Sequence, residues 1–159
     1  MKSSENLLDN ARQQILELNA KELHNYIKEG NNPVLLDVRG LDEWERGRLK
    51  GAVHIPRGNL EIQVEAKLPN KSREVVIYCA GGVRSLLAGQ TLKTLGYSRI
   101  ISMDGGYSAW VDAGLPSENS EFQIEEDGSE NLELLRIEIK HLEQVLAKKK
   151  ERLEKVKKS

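Results

Sequence analysis

A chain of 159 residues, 38% apolar and 31% charged with a net charge of −1, fits one soluble domain with a polar appendage. No apolar run nears the roughly 18 residues that a membrane span needs, and the near-zero charge points away from nucleic acid as the principal partner. The single cysteine cannot close an internal disulfide, and no secretory signal opens the chain, so the cytoplasm is the expected compartment.

Residues 4–18 place Leu7, Leu8, Ala11, Ile15 and Leu18 at helical spacing, although Ile15 to Leu18 also reads as a short strand. Asn19 with Glu22 forms a capping-box signature that opens a helix running to about Lys28 and stopping at Gly30. His24 on that helix is a surface or packing residue. Pro33 to Val38 is an apolar run interrupted only by Asp37, the pattern of a strand buried on both faces of a parallel sheet. Asp37 and Arg39 close it, and this pairing is expected to fasten a loop rather than to act in chemistry. Asp42 to Arg46 reads as a helical turn, and Gly51 to Pro56 leads into another strand, with a turn at Arg57-Gly58. Residues 59–68 are expected to be helical.

The chemistry centres on Cys79-Ala80-Gly81-Gly82-Val83-Arg84-Ser85, which follows the β-branched run Val75 to Tyr78. A lone cysteine is often an inert buried hydrophobe. This one stands at a strand end, where α/β sheets hold their ligands, with two glycines behind it and a helix start at Arg84. A strand, a glycine turn and a helix N-terminus form a cradle of N–H groups that stabilises an anion and favours the thiolate. None of His24, His54 and His141 forms a nucleophile–base pattern with Cys79. Beyond the loop, Leu87, Ala88, Leu92 and Leu95 recur at helical spacing up to Gly96. Ile100-Ile101 then reads as the last strand. Tyr107 and Trp110, three apart after the turn at Gly105-Gly106, are expected in the core. Strands alternating with helices imply an α/β fold with a parallel sheet.

Cys-x-x-Gly-x-Arg-Ser resembles the active-site loop of single-domain rhodaneses, sulfurtransferases that carry sulfur as a cysteine persulfide. Further marks follow in order: Asp37-Val38-Arg39, Glu43-Trp44 with Gly47, Gly51 to Pro56, Asp104 to Tyr107, Trp110 and Gly114-Leu115-Pro116. The likeness covers about residues 13–117. It implies a rhodanese-like parallel sheet flanked by helices, with Cys79 as nucleophile. Ala80, Gly81, Gly82, Val83, Arg84 and Ser85 would hold the substrate, and Asp37 and Arg39 would support the loop. The implied partners are a small sulfur donor (thiosulfate or a persulfide) and a thiol or cyanide acceptor, with no metal or other cofactor. Arg48 stands where many relatives have histidine, which alters the charge expected at the pocket mouth. Ala80 and Gly81 are neutral where some thiosulfate-using relatives are basic, which favours a persulfide donor.

Two other readings compete with sulfur transfer. Cysteine phosphatases of the same fold place five residues between Cys and Arg, whereas four stand between Cys79 and Arg84. The smaller ring of N–H donors suits a sulfur atom better than a phosphate. A non-catalytic binding or signalling module is the other rival, and retention of Cys79 and Arg84 argues against it. The expected organisation is an N-terminal helical extension over 1–14, a rhodanese-like domain over 15–117, an acidic linker over 118–130 and a helix over 131–158. In that last segment Leu132, Leu135, Ile139, Leu142, Leu146, Lys149, Leu153 and Val156 alternate spacings of three and four, a coiled-coil signature. Its stripe needs something to bury against: the chain's own domain, a partner protein, or a second copy in a homodimer through residues 131–158.

Overall fold

The structure, a computed structural model, describes residues 3–119 and 132–158, with side chains from 136 in the second stretch. The expected acidic linker, apart from residues 118 and 119, lies outside the described residues, as do the seam side chains of Leu132 and Leu135. The chain divides into two units, Met1–Gln123 and Ile124–Ser159.

The first unit is built on five parallel strands in the order β1-β6-β5-β2-β4: β1 (Leu16–Asn19), β2 (Val34–Asp37), β4 (Val53–His54), β5 (Val75–Tyr78) and β6 (Ile100–Asp104). Helices α1 (Ser4–Gln14), α4 (Leu60–Lys67) and α5 (Val83–Thr94) supply Ala11, Leu60, Val64, Leu86 and Leu92 to one apolar cluster. Helices α2 (Ala20–Lys28) and α6 (Gly106–Asp112) supply Ala20, Leu23 and Trp110 to the other. The two-residue period of β5 divides its side chains accordingly. Val75 and Ile77 belong to the α4–α5 cluster, Val76 and Tyr78 to the α2–α6 cluster. Both faces are therefore covered, which is why the central strands β2 and β5 read as largely apolar runs.

Local signals explain the element boundaries. Asn19 accepts the N–H of Glu22 at 2.9 Å and the Glu22 carboxylate accepts the Asn19 N–H at 3.2 Å, completing the capping box of α2. The ambiguity over residues 4–18 resolves as a helix followed by a strand. Ala11 and Ile15 are buried, so α1 joins the domain core. A short helix, α3 (Leu41–Arg46), follows β2, and a 3-10 turn at Arg57–Asn59 precedes α4. Trp110 is buried as expected and donates its indole N–H to the Pro116 carbonyl at 2.9 Å, while His24 meets its ring edge-on at 5.7 Å.

One small sheet is absent from the sequence expectations. β3 (Arg48–Leu49) pairs antiparallel with β7 (Ser117–Glu118), setting Arg48 opposite Glu118. Glu118, the first residue of the expected linker, is thus part of a strand. Two-residue strands carry no periodicity from which they could be read.

The second unit contains α7 (Leu132–Lys157), an uninterrupted helix of 26 residues. Lys155 and Glu151 form an (i, i+4) ion pair at 3.5 Å along it. Among the described residues no helix is long and apolar enough to cross a membrane.

Candidate active site

Cys79 is the first residue after β5 and continues its alternation, so its side chain falls on the α4–α5 face with Val75 and Ile77. The residue is only 1% exposed. Its Sγ accepts the Gly82 N–H at 3.1 Å and lies 3.6 Å from the Ser85 hydroxyl. Burial pushes the thiol pKa up. The Ser85 N–H, the Ser85 hydroxyl and the N–H groups of Gly82 and Gly81 pull it down, and together they hold it below the ordinary thiol value.

Helix α6 fixes the direction of those N–H groups. Tyr107 donates its N–H to the Cys79 carbonyl at 2.8 Å, and Ser108 to the Ala80 carbonyl at 3.0 Å. In a trans peptide the C=O and the following N–H point opposite ways. Fastening the Ala80 carbonyl to α6 therefore aims the Gly81 N–H to the other side, where the sulfur lies. The contact requires glycine at 106: φ is +61° there, and a Cβ would stand 2.5 Å from both carbonyl oxygens. Gly82, at φ +92°, packs somewhat less tightly against the Gly105 N–H, which would lie 2.9 Å from any Cβ.

The remaining expected site residues fall into three places. Gly81, Gly82 and Ser85 donate toward the sulfur, and Ala80 and Val83 lie beside them in the chain. Arg84 turns outward, 45% exposed, and its guanidinium reaches the Glu43 carboxylate at 3.5 Å. Asp37 and Arg39 form a buried pair below the loop. Arg39 Nη2 meets Asp37 Oδ2 at 2.7 Å and the Gly47 carbonyl at 2.6 Å, and its Nε meets both carboxylate oxygens at 3.0 and 3.1 Å. Tyr107 covers this guanidinium with its ring at 4.2 Å. Arg48, in the place of the histidine, stacks on Trp44 at 4.4 Å and donates to the Trp44 carbonyl. His54 stacks on the same indole and bonds the Arg39 carbonyl through Nε2 at 2.8 Å. Among the described residues no cluster of His, Cys, Asp and Glu could hold a metal ion.

Sequence reasoning did not assign functional roles to Glu43, to the α6 amides or to Ser102, whose buried hydroxyl stands 2.7 Å from that of Ser85. Glu43 carried a family signal, but its partner is distant in sequence. Ser102 carried only the oddity of a polar residue inside an apolar strand.

The profile of the rhodanese-like domain matches residues 19–113. The chain belongs to the rhodanese-like domain family. This rhodanese-like chain is 33% identical over 100 residues to a sulfurtransferase of Allochromatium vinosum, across 63% of its own length and 92% of the relative's. It is 32% identical over 98 residues to thiosulfate sulfurtransferase 18 of Arabidopsis thaliana, covering 54% of this chain and 72% of that one. It spans only 40% of the length of a Bacillus subtilis relative that it matches at 36% identity. Among solved structures, a Rhodopseudomonas palustris protein of unknown function, described as a possible tyrosine phosphatase, superposes with a TM-score of 0.67 at 32% identity. That match covers 74% of the rhodanese-like chain and 96% of the neighbour.

Proposed function

We propose that this chain is a sulfurtransferase working through a persulfide on Cys79. The observation that carries the reading is the ring of N–H groups around a buried sulfur, closed by a loop of four residues before Arg84. In the first half-reaction the Cys79 thiolate attacks the outer sulfur of thiosulfate. The S–S bond of the donor breaks, sulfite leaves with the bonding pair, and Cys79–S–S⁻ forms. In the second, cyanide or a thiolate attacks the outer sulfur and the pair returns to Cys79. Arg84 lends positive charge at the entrance, tempered by Glu43, which together with neutral Ala80 and Gly81 favours a protein or glutathione persulfide over thiosulfate as natural donor. Asp37 and Arg39 support the loop. The chain works in the cytoplasm, where its lone thiol stays reduced.

Intact mass after incubation with thiosulfate or glutathione persulfide tests this: one added sulfur, removable by cyanide, is expected. Cys79-dependent release of phosphate from aryl phosphates without sulfur uptake would favour the phosphatase reading instead. A second measurement follows the thiolate. The alkylation rate of Cys79 should titrate with a midpoint below the ordinary cysteine value of about 8.5. The rate falls as pH drops through the folded pKa and the thiolate takes its proton. In urea, where the cradle is lost, the midpoint should return to the ordinary value.

The reading includes a homodimer through α7, with the helices antiparallel. Six acidic and no basic residues lie from Glu121 to Glu133, and seven basic and two acidic ones from Lys148 to Lys158. Parallel pairing would set Glu138 against Glu143 and Arg152 against Lys157, whereas reversal brings Glu138 toward Arg152. Each exposed pair stabilises by only about 0.2–1 kcal/mol, yet several of one sign can decide orientation. Light scattering of the full chain should give a dimer, and Leu146→Asp in the stripe should give a monomer. A wild-type chain that is itself monomeric would favour the reading in which the helix packs on its own domain.

A further inference from the structure

We propose that Ser102 is a positioning residue for Cys79, acting through the hydroxyl of Ser85. Ser102 lies on β6, flanked by Ile101 and Met103, which belong to the α2–α6 cluster, and two residues after Ile100, which belongs to the α4–α5 cluster. The two-residue period therefore turns Ser102 toward the face that carries Cys79 and α5. The register of β5 with β6 pairs it with Ile77, one pleat before the cysteine. Both hydroxyls are fully buried, their oxygens are 2.7 Å apart, and Ser85 Oγ lies 3.6 Å from Cys79 Sγ.

Counting hydrogens shows what the pair does. Each serine has one hydroxyl proton. In the thiol form Cys79 can donate to Ser85. In the thiolate form the sulfur is an acceptor only, and Ser85 must turn its proton toward it. Ser102 then supplies its own proton to Ser85 Oγ, filling the lone pair that Ser85 presents and polarising the bond to sulfur. Among the described residues Ser85 is the hydrogen-bond partner of the Ser102 side chain, and the distance allows either hydroxyl to donate. Charged and titratable groups on the surrounding elements have partners of their own, as His54 has the Arg39 carbonyl and Arg57 has Glu61, or lie at the surface. Asp37 holds Arg39 beyond β2, Arg84 on α5 pairs with Glu43 of α3, Asp104 ends β6 on the exposed side, and the Tyr78 hydroxyl accepts the Leu49 N–H.

This inference rests on Cys79 acting as a thiolate, but its test does not need sulfur transfer. The rate of alkylation of the full chain by iodoacetamide is followed against pH. Ser102→Ala and Ser102→Val remove the hydroxyl at two side-chain volumes, and Ser102→Thr keeps it. Loss of the hydroxyl should move the midpoint upward by about 0.3–1 pH unit, as expected for one weakened hydrogen bond to the charged form. Ser102→Thr should restore the wild-type midpoint. In a Ser85→Ala background Ser102→Ala should add no further shift. An unchanged midpoint, an equal shift with and without Ser85, or loss of the fold in both hydroxyl-free variants would overturn the proposal. Wild-type alkylation at the ordinary cysteine midpoint would instead count against the thiolate reading itself.

Discussion

Replacing Cys79 with serine should lower sulfur transfer from thiosulfate to cyanide by at least about 10³-fold, the scale of loss when a covalent nucleophile is removed. No other cysteine exists in the sequence to take over. The fold should survive, because the loop is held by the α6 amides at the Cys79 and Ala80 carbonyls, neither of which involves the side chain. A serine hydroxyl can still accept the Gly82 N–H. The expected pattern is thus an unchanged melting curve, no sulfur added by mass, and a rate at background. Comparable turnover in the serine variant would remove the persulfide from the mechanism.

The largest effect on stability is expected at Arg39. Asp37 is fully buried, and Arg39 meets its carboxylate through both Nε and Nη2. Such a pair contributes little net stability compared with apolar residues of the same size, but losing one member strands a buried charge. Arg39→Ala should therefore cost about 3–5 kcal/mol, and it also leaves the Gly47 carbonyl without its donor. For a chain of this size the melting temperature should fall by roughly 10 °C. Adding Asp37→Asn in that background should recover part of the loss, since the stranded charge is then gone. A melting curve for Arg39→Ala that overlays the wild type would show that the pair holds nothing up.

How much of this was readable beforehand depended on how far each signal lies from its partner along the chain. The cysteine loop is local: an apolar strand, two glycines and a helix start stand within a dozen residues, so its conformation shows in the sequence. The capping box of α2 and the long α7 are equally local, and both are seen. The Asp37–Arg39 pair spans two residues and was likewise visible. Ser102 is different, because its neighbour is set by the Ile77–Ser102 register across two strands, which no spacing within either strand reveals. The Arg84–Glu43 pair joins residues 41 positions apart. The β3–β7 pairing joins segments nearly seventy positions apart, too short to carry a pattern of their own. The α6 amides lie hidden for another reason, since a backbone N–H leaves no trace in residue identity.

The depth of Cys79 also bears on which molecules can collect from it. The bare thiol is enclosed at the end of a buried strand, while a sulfane sulfur would extend about 2.05 Å beyond Sγ, the length of one S–S bond. In the proposed persulfide the transferable atom would thus stand one bond farther from the strand than the shielded atom that tethers it. An incoming nucleophile would then meet the cargo before the carrier, so attack at the inner sulfur, which would leave the chain joined to its acceptor, would be sterically disfavoured. In the proposed cycle the recess would act as a regioselectivity filter: the terminal sulfur would depart and the Cys79 thiolate would be returned intact.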